Sequence, residues 1–69
     1  MTYRELTRKL HSLGCEFDRQ SRGSHEIWRN PANGTRTTIP NWGGRDLRPG
    51  TVRAIMRDLG IDRNSFEQA

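Results

Sequence analysis

A chain of 69 residues has room for one domain and one small core, since a domain of about 60 residues buries only ~60% of the surface its unfolded form exposes. A second domain, a deep cofactor cavity and a membrane span of roughly 20 apolar residues are all excluded at 30% hydrophobic content. The balance of 12 basic against 8 acidic side chains gives a net charge of +4, and every basic residue except Lys9 is an arginine.

Thr2-Tyr3-Arg4-Glu5 reads as a capping box, in which the Thr2 hydroxyl accepts an early helix N–H and Glu5 reaches back. Tyr3, Leu6, Leu10 and Leu13 recur at helical spacing and predict a helix over about residues 2–13. Gly14 ends it, because glycine readily takes the left-handed conformation of a helix stop. Cys15 to Gln20 alternates, with Cys15 and Phe17 on one side, and predicts a short half-buried strand. Ser21-Arg22-Gly23 turns the chain into a second strand, Ser24 to Arg29, whose apolar members are Ile27 and Trp28. Asn30-Pro31-Ala32-Asn33-Gly34 is a hairpin tip suited to positive φ. Thr35 to Ile39, β-branched except at Arg36, is the third strand, and Pro40 stops it.

Asn41 to Arg48 reads as a polar loop that holds Trp42 between flexible residues. Pro49 opens a second helix, in which Val52, Ile55, Met56 and Leu59 form the apolar stripe. Gly60 ends that helix, and Ile61 folds back over its end. Residues 62–69, with Phe66 as their one anchor, are expected to fray. Residues 1–69 thus form one α+β domain of order αβββα. A three-stranded antiparallel meander carries two helices on one face and leaves the other face to solvent, the layer plan of a double-stranded-RNA-binding domain. Nearly all of Leu6, Leu10, Leu13, Phe17, Ile27, Trp28, Ile39, Val52, Ile55 and Leu59 are expected to be used in the core or at an interface. Cys15 is the only cysteine, so an internal disulfide is impossible and a reducing compartment fits. With no basic-then-apolar leader at its start, the chain is expected in the cytoplasm.

The basic balance fits a nucleic-acid binder, because arginine presents a planar, bidentate fork to phosphate; it fits a solvated surface equally well. The sharper signal is Ser21-Arg22-Gly23-Ser24-His25-Glu26-Ile27-Trp28, which sets one imidazole after a glycine turn at the head of a strand. An imidazole, with its ordinary pKa of ~6.5, can take and give protons near neutrality. Cleavage of RNA through the ribose 2′-hydroxyl needs both transfers. Alternation puts His25 on the side of Ile27, so a half-buried strand histidine is the competing reading. Gly23 lets backbone approach a phosphate, and Ser24 can hydrogen-bond one. Arg22 and Arg36 are candidates to flank His25 and hold the anion. Arg48, Arg53 and Arg57 on or near the second helix are candidates for an RNA backbone or an acidic partner. Trp42 either stacks on a base, caps the core edge or docks on a partner. His11 is expected to face solvent, and its spacing to Cys15 across Gly14 makes no metal site. Neither paired carboxylates nor a Ser-His-Asp set is visible.

Three blocks together resemble the HicA family of small toxins from bacterial toxin–antitoxin pairs. They are the opening helix ending in Leu13-Gly14; Gly23-Ser24-His25 backed by Ile27 and Trp28; and the run from Gly50 to Ile61. The resemblance spans nearly the whole chain. It implies the αβββα fold, ribonuclease activity on messenger RNA that requires a histidine at the position of His25, and a HicB-type antitoxin that blocks the site. Members often carry a second histidine after the proline that closes strand three, where this chain has Asn41. The expected activity is a metal-independent, cofactor-free endoribonuclease with His25 as general acid–base. Arg22, Gly23, Ser24, Arg36, Arg53 and Arg57 are its candidate phosphate and RNA contacts. The alternatives are a non-catalytic double-stranded-RNA-binding module and a subunit whose arginines serve only a protein partner.

Overall fold

Thr2 opens the first helix by the expected reciprocal cap. Its backbone N–H donates to Glu5 Oε1 at 2.8 Å, and the Glu5 N–H donates to Thr2 Oγ1 at 3.3 Å. The computed structural model describes residues 1–69, and helix α1 covers Tyr3–Ser12. Leu6 and Leu10 of its apolar stripe are fully buried. Gly14, at φ +91°, ends it in a Schellman stop: the Gly14 N–H donates to His11 O and the Cys15 N–H to Leu10 O. This 5→2 and 6→1 pair satisfies carbonyls the helix would otherwise leave unpaired.

The strands are β1 (Glu16–Gln20), β2 (His25–Asn30) and β3 (Thr35–Pro40), antiparallel in the order β1-β2-β3. Helix α2 runs Pro49–Asp58 with Pro49 in its first turn. It stops as α1 does, with the Gly60 N–H donating to Arg57 O and the Ile61 N–H to Met56 O. The sheet's inner face contributes Trp28 and Ile39 to one apolar core with Leu6, Leu10, Ile55 and Leu59. The expected α+β plan of helices on one face of an antiparallel meander is therefore the observed one.

Four expectations change. Residues 62–69, expected to fray, form a third helix α3 at Arg63–Gln68. Asp62 caps it by accepting from the Ser65 N–H at 2.8 Å, Phe66 is buried, and Lys9 Nζ donates to Phe66 O at 3.1 Å. The order is thus αβββαα. Leu47 lies in the polar loop yet is buried, because its N–H donates to Met1 O at 2.7 Å and ties the loop under the N-terminus. Ile27 points to the open face, since the buried positions of β2 are Glu26, Trp28 and Asn30. Phe17 faces inward opposite Trp28 with ring centroids 6.3 Å apart, but at the sheet edge it stays 49% exposed. An irregularity between Phe17 and Arg19 shifts the register there. Cys15, just ahead of the strand, is buried in its place, and burial pushes its thiol pKa up. That keeps Cys15 protonated and unreactive.

The β2–β3 hairpin tip braces the end of α2. Asn30 Nδ2 and Asn33 Nδ2 both donate to Leu59 O, at 2.8 and 3.0 Å. Gly60 sits at φ +65°, and a Cβ there would lie 2.8 Å from Asn33 Nδ2. Gly60→Ala should therefore cost about 2 kcal/mol, from left-handed strain plus the displaced amide. The check is a lowered urea midpoint at unchanged slope.

A histidine at the rim of the open sheet face

The site forms where β2 begins. Gln20 Nε2 donates to Gly23 O at 2.9 Å and His25 O at 3.0 Å, and the His25 N–H donates to Arg22 O at 2.8 Å. Gly23 takes φ +54° and has nothing within 4 Å of where a Cβ would stand. The turn is thus fixed from its own side and open towards solvent. His25 leaves it on the sheet face that carries no helix. It is exposed, its register partner is Pro40, and its imidazole makes no hydrogen bond. The half-buried reading of His25 does not hold, because Ile27, which shares its face, is itself outside the core.

Charge on this face is distributed unevenly. Arg29 pairs with Glu16 at 3.3 Å, while Arg19 and Arg36 share Asp18 Oδ2 at 2.9 and 3.1 Å. Arg22, beside His25, faces no carboxylate within ion-pair distance, and neither does Arg45 in the following loop. Of the arginines on β1–β3 and the turn before His25, Arg22 is therefore the one whose charge is uncommitted. Arg36, expected to flank His25, is opposite Arg29, four residues and about 13 Å along the strand from His25. Arg53 and Arg57 belong to the helical layer on the other side of the sheet. Arg53 lines a groove of about 570 Å³ with Val52, Met56, Ile61 and Phe66, and Arg57 lies 3.9 Å from Asp58. Of the expected phosphate contacts, the fold brings Arg22, Gly23 and Ser24 to His25 and leaves Arg36, Arg53 and Arg57 apart.

Directly behind His25, on the inner face, lies a polar group that sequence reasoning missed. Glu26 is only 8% exposed. Its Oε1 accepts from the Tyr3 hydroxyl and from Trp28 Nε1 at 3.1 Å, and its Oε2 accepts from Asn41 Nδ2 at 3.3 Å. Burial, reinforced by the hydrogen bond to Glu26 and its charge, pushes the Tyr3 phenol from 10.0 up to about 12. Asn41 also donates its backbone N–H to Ser24 O at 2.8 Å and accepts from the Gly43 N–H through Oδ1 at 3.2 Å. Asn41 is therefore spent on structure. No group of three or more His, Cys, Asp or Glu side chains is placed to hold a metal ion.

Fold and site together define a small basic α+β domain with the layer plan of a double-stranded-RNA-binding domain, bearing one exposed histidine at a Gly-Ser turn on its uncovered sheet face. A family profile described as the HicA toxin of bacterial toxin–antitoxin matches residues 3–61, and the chain belongs to that family. A probable mRNA interferase HicA of Pseudomonas fluorescens (strain Pf0-1) is 33% identical over 61 residues, covering 88% of this chain and 97% of that protein. No solved structure matches the chain. The matched segment includes the histidine turn and both long helices but stops before α3.

Proposed function

We propose that this chain is the toxin of a type II toxin–antitoxin system and cuts messenger RNA in the cytoplasm as an endoribonuclease, with His25 as general acid–base and no metal. The observation that carries the reading is the exposed, unpartnered imidazole beside an uncommitted guanidinium, Arg22, at an open glycine turn. The relative named as an mRNA interferase supports the substrate, and the family description supports an antitoxin partner. A HicB-type antitoxin that masks the His25 end of the sheet is the corresponding inhibitor.

The reaction asks for little besides proton transfer and charge stabilisation. The ribose 2′-hydroxyl loses its proton and attacks phosphorus; the bond to the 5′-oxygen breaks and that oxygen gains a proton. The ends are a 2′,3′-cyclic phosphate and a 5′-hydroxyl. His25 serves one of these transfers and water or a second group the other. Arg22, with the Gly23 and Ser24 backbone N–H groups and the Ser24 hydroxyl, holds the phosphate as its charge builds. Arg36 contacts a phosphate farther along the strand. Arg53 and Arg57, on the helical side, bear on RNA only where it wraps round the domain.

A substrate with a single deoxyribose at the cut position tests the mechanism. It should resist cleavage in the presence of EDTA while the all-ribose control is cut. Equal rates on both would remove the 2′-hydroxyl step. Asn41 favours a second reading, because its amide is committed to Glu26 and Gly43 and the site lacks a second imidazole. That reading is a non-catalytic double-stranded-RNA-binding module. Long RNA left intact by folded protein, with binding that weakens steeply with salt, would establish it.

A further inference from the structure

The loop from Asn41 to Asp46 holds a feature that acid–base chemistry at His25 does not use. The Arg45 guanidinium lies over the Trp42 ring, 5.3 Å from its centroid. Trp42 is half-buried and packs against the core edge, whereas Arg45 is exposed and makes no ion pair. The result is a layered stack: core, indole, guanidinium, solvent. A guanidinium held over an aromatic ring presents a cationic surface with aromatic support, and such surfaces bind unpaired bases.

Its position matters as much as its chemistry. The loop starts one residue beyond Pro40, the register partner of His25. It is fastened there by the Asn41 N–H to Ser24 O bond at 2.8 Å, and Asn41 is held from below by Glu26. Trp42 follows Pro40 by two residues, and two residues of chain span at most about 7 Å. The loop therefore begins at the His25 end of the sheet, which assigns the stack to a nucleotide neighbouring a phosphate on His25. Gly43, at φ +61°, and Gly44 have nothing within 4 Å of where a Cβ would stand, so that side of the loop is open.

We propose that Trp42 and Arg45 form a base-binding platform that takes an unpaired base flanking the scissile phosphate. This inference rests on the ribonuclease reading. It deepens that reading by naming the substrate class as single-stranded RNA, because a base held in a duplex must first meet the cost of unpairing and unstacking to reach the guanidinium. Purines are favoured over pyrimidines at the platform, since the larger π-face stacks more strongly.

The test is a single-stranded RNA oligonucleotide carrying one abasic residue, moved through the two positions on each side of the mapped cut. It is cut by the wild-type chain, by Arg45→Ala and by Trp42→Leu, which keeps apolar bulk at the core edge. One abasic position should lower wild-type kcat/KM by about 5- to 150-fold. The same abasic substitution should cost Arg45→Ala and Trp42→Leu little, because one has lost the guanidinium that meets the base and the other the ring that supports it. Additive losses, or a wild-type chain indifferent to every abasic position, overturn the platform while leaving cleavage intact. If the wild-type chain cuts no RNA, the ribonuclease reading fails by itself. Anisotropy with a short single-stranded RNA carrying the abasic residue at each position in turn then decides the platform: a base-dependent loss of affinity that Trp42→Leu abolishes supports it, and uniform affinity removes it.

Discussion

Alanine in place of His25 should slow RNA cleavage by roughly 10²–10⁴-fold, the range that positioned acid–base help supplies, and abolish growth arrest on induction. The fold should not notice. The imidazole makes no hydrogen bond, faces solvent and contributes nothing to the core, so the change belongs with surface substitutions, within about 0.5 kcal/mol of wild type. RNA affinity should also persist, since Arg22 and the Gly23–Ser24 turn remain. His11 supplies the internal control. It is an exposed histidine on α1, in the helical layer across the sheet, and His11→Ala should cut RNA at the wild-type rate. Growth arrest by a folded His25→Ala chain, or equal losses in the two variants, would take the catalytic role away from His25.

Where local chemistry decided the structure, it was readable in the residues. The capping box at Thr2 and Glu5, the glycine stops at Gly14 and Gly60, and the Asn-Gly hairpin tip each depend on neighbours within a few positions, and each is present as read. Alternation in β2 also placed His25 and Ile27 on one face. What alternation could not say is which face the helices cover. Ile27 invites the guess that its face is the inner one, yet the helices lie over Glu26, Trp28 and Asn30, because the Glu26 carboxylate and the Asn30 amide have partners only there: Tyr3, Asn41 and the Leu59 carbonyl. Contacts distant in sequence account for the other differences. Lys9 meets the end of α3 across 57 positions, and Leu47 is buried through a bond to Met1. Arg36 illustrates the same limit at the site: its neighbouring strand was legible, its register was not, and register set it four residues from His25.

The largest loss of stability should come from Glu26→Ala. The carboxylate is buried and is the acceptor shared by α1 through Tyr3, by β2 through Trp28 and by the loop after β3 through Asn41. Truncation leaves three donors, Trp28 buried and Tyr3 and Asn41 part-buried, without a partner and a hole beneath the sheet, a combination that costs about 3–5 kcal/mol, against the roughly 5–15 kcal/mol that holds a typical domain together. A domain this small sits at the low end, so the variant should be partly unfolded at 37 °C or lose most of its urea midpoint. Glu26→Gln keeps the shape and one acceptor oxygen, and should lose about half as much. Tyr3→Phe separates the network's strands further through pH. The folded phenol keeps its proton up to about 12 whereas an ordinary tyrosine releases it near 10.0. A raised pKa of this kind gives stability that is complete below pH 10 and is lost as pH climbs from there to about 12. The wild-type chain should therefore weaken across that window, and Tyr3→Phe should lack the tyrosine part of the slope. Glu26→Ala within 1 kcal/mol of wild type would mean that its three donors find water or each other without loss. The consequence for function follows from Asn41, which Glu26 steadies and whose N–H holds Ser24: chain that keeps its fold but loses this carboxylate should bind and cut RNA less well, because the histidine turn and the Trp42 loop are no longer fixed to one another.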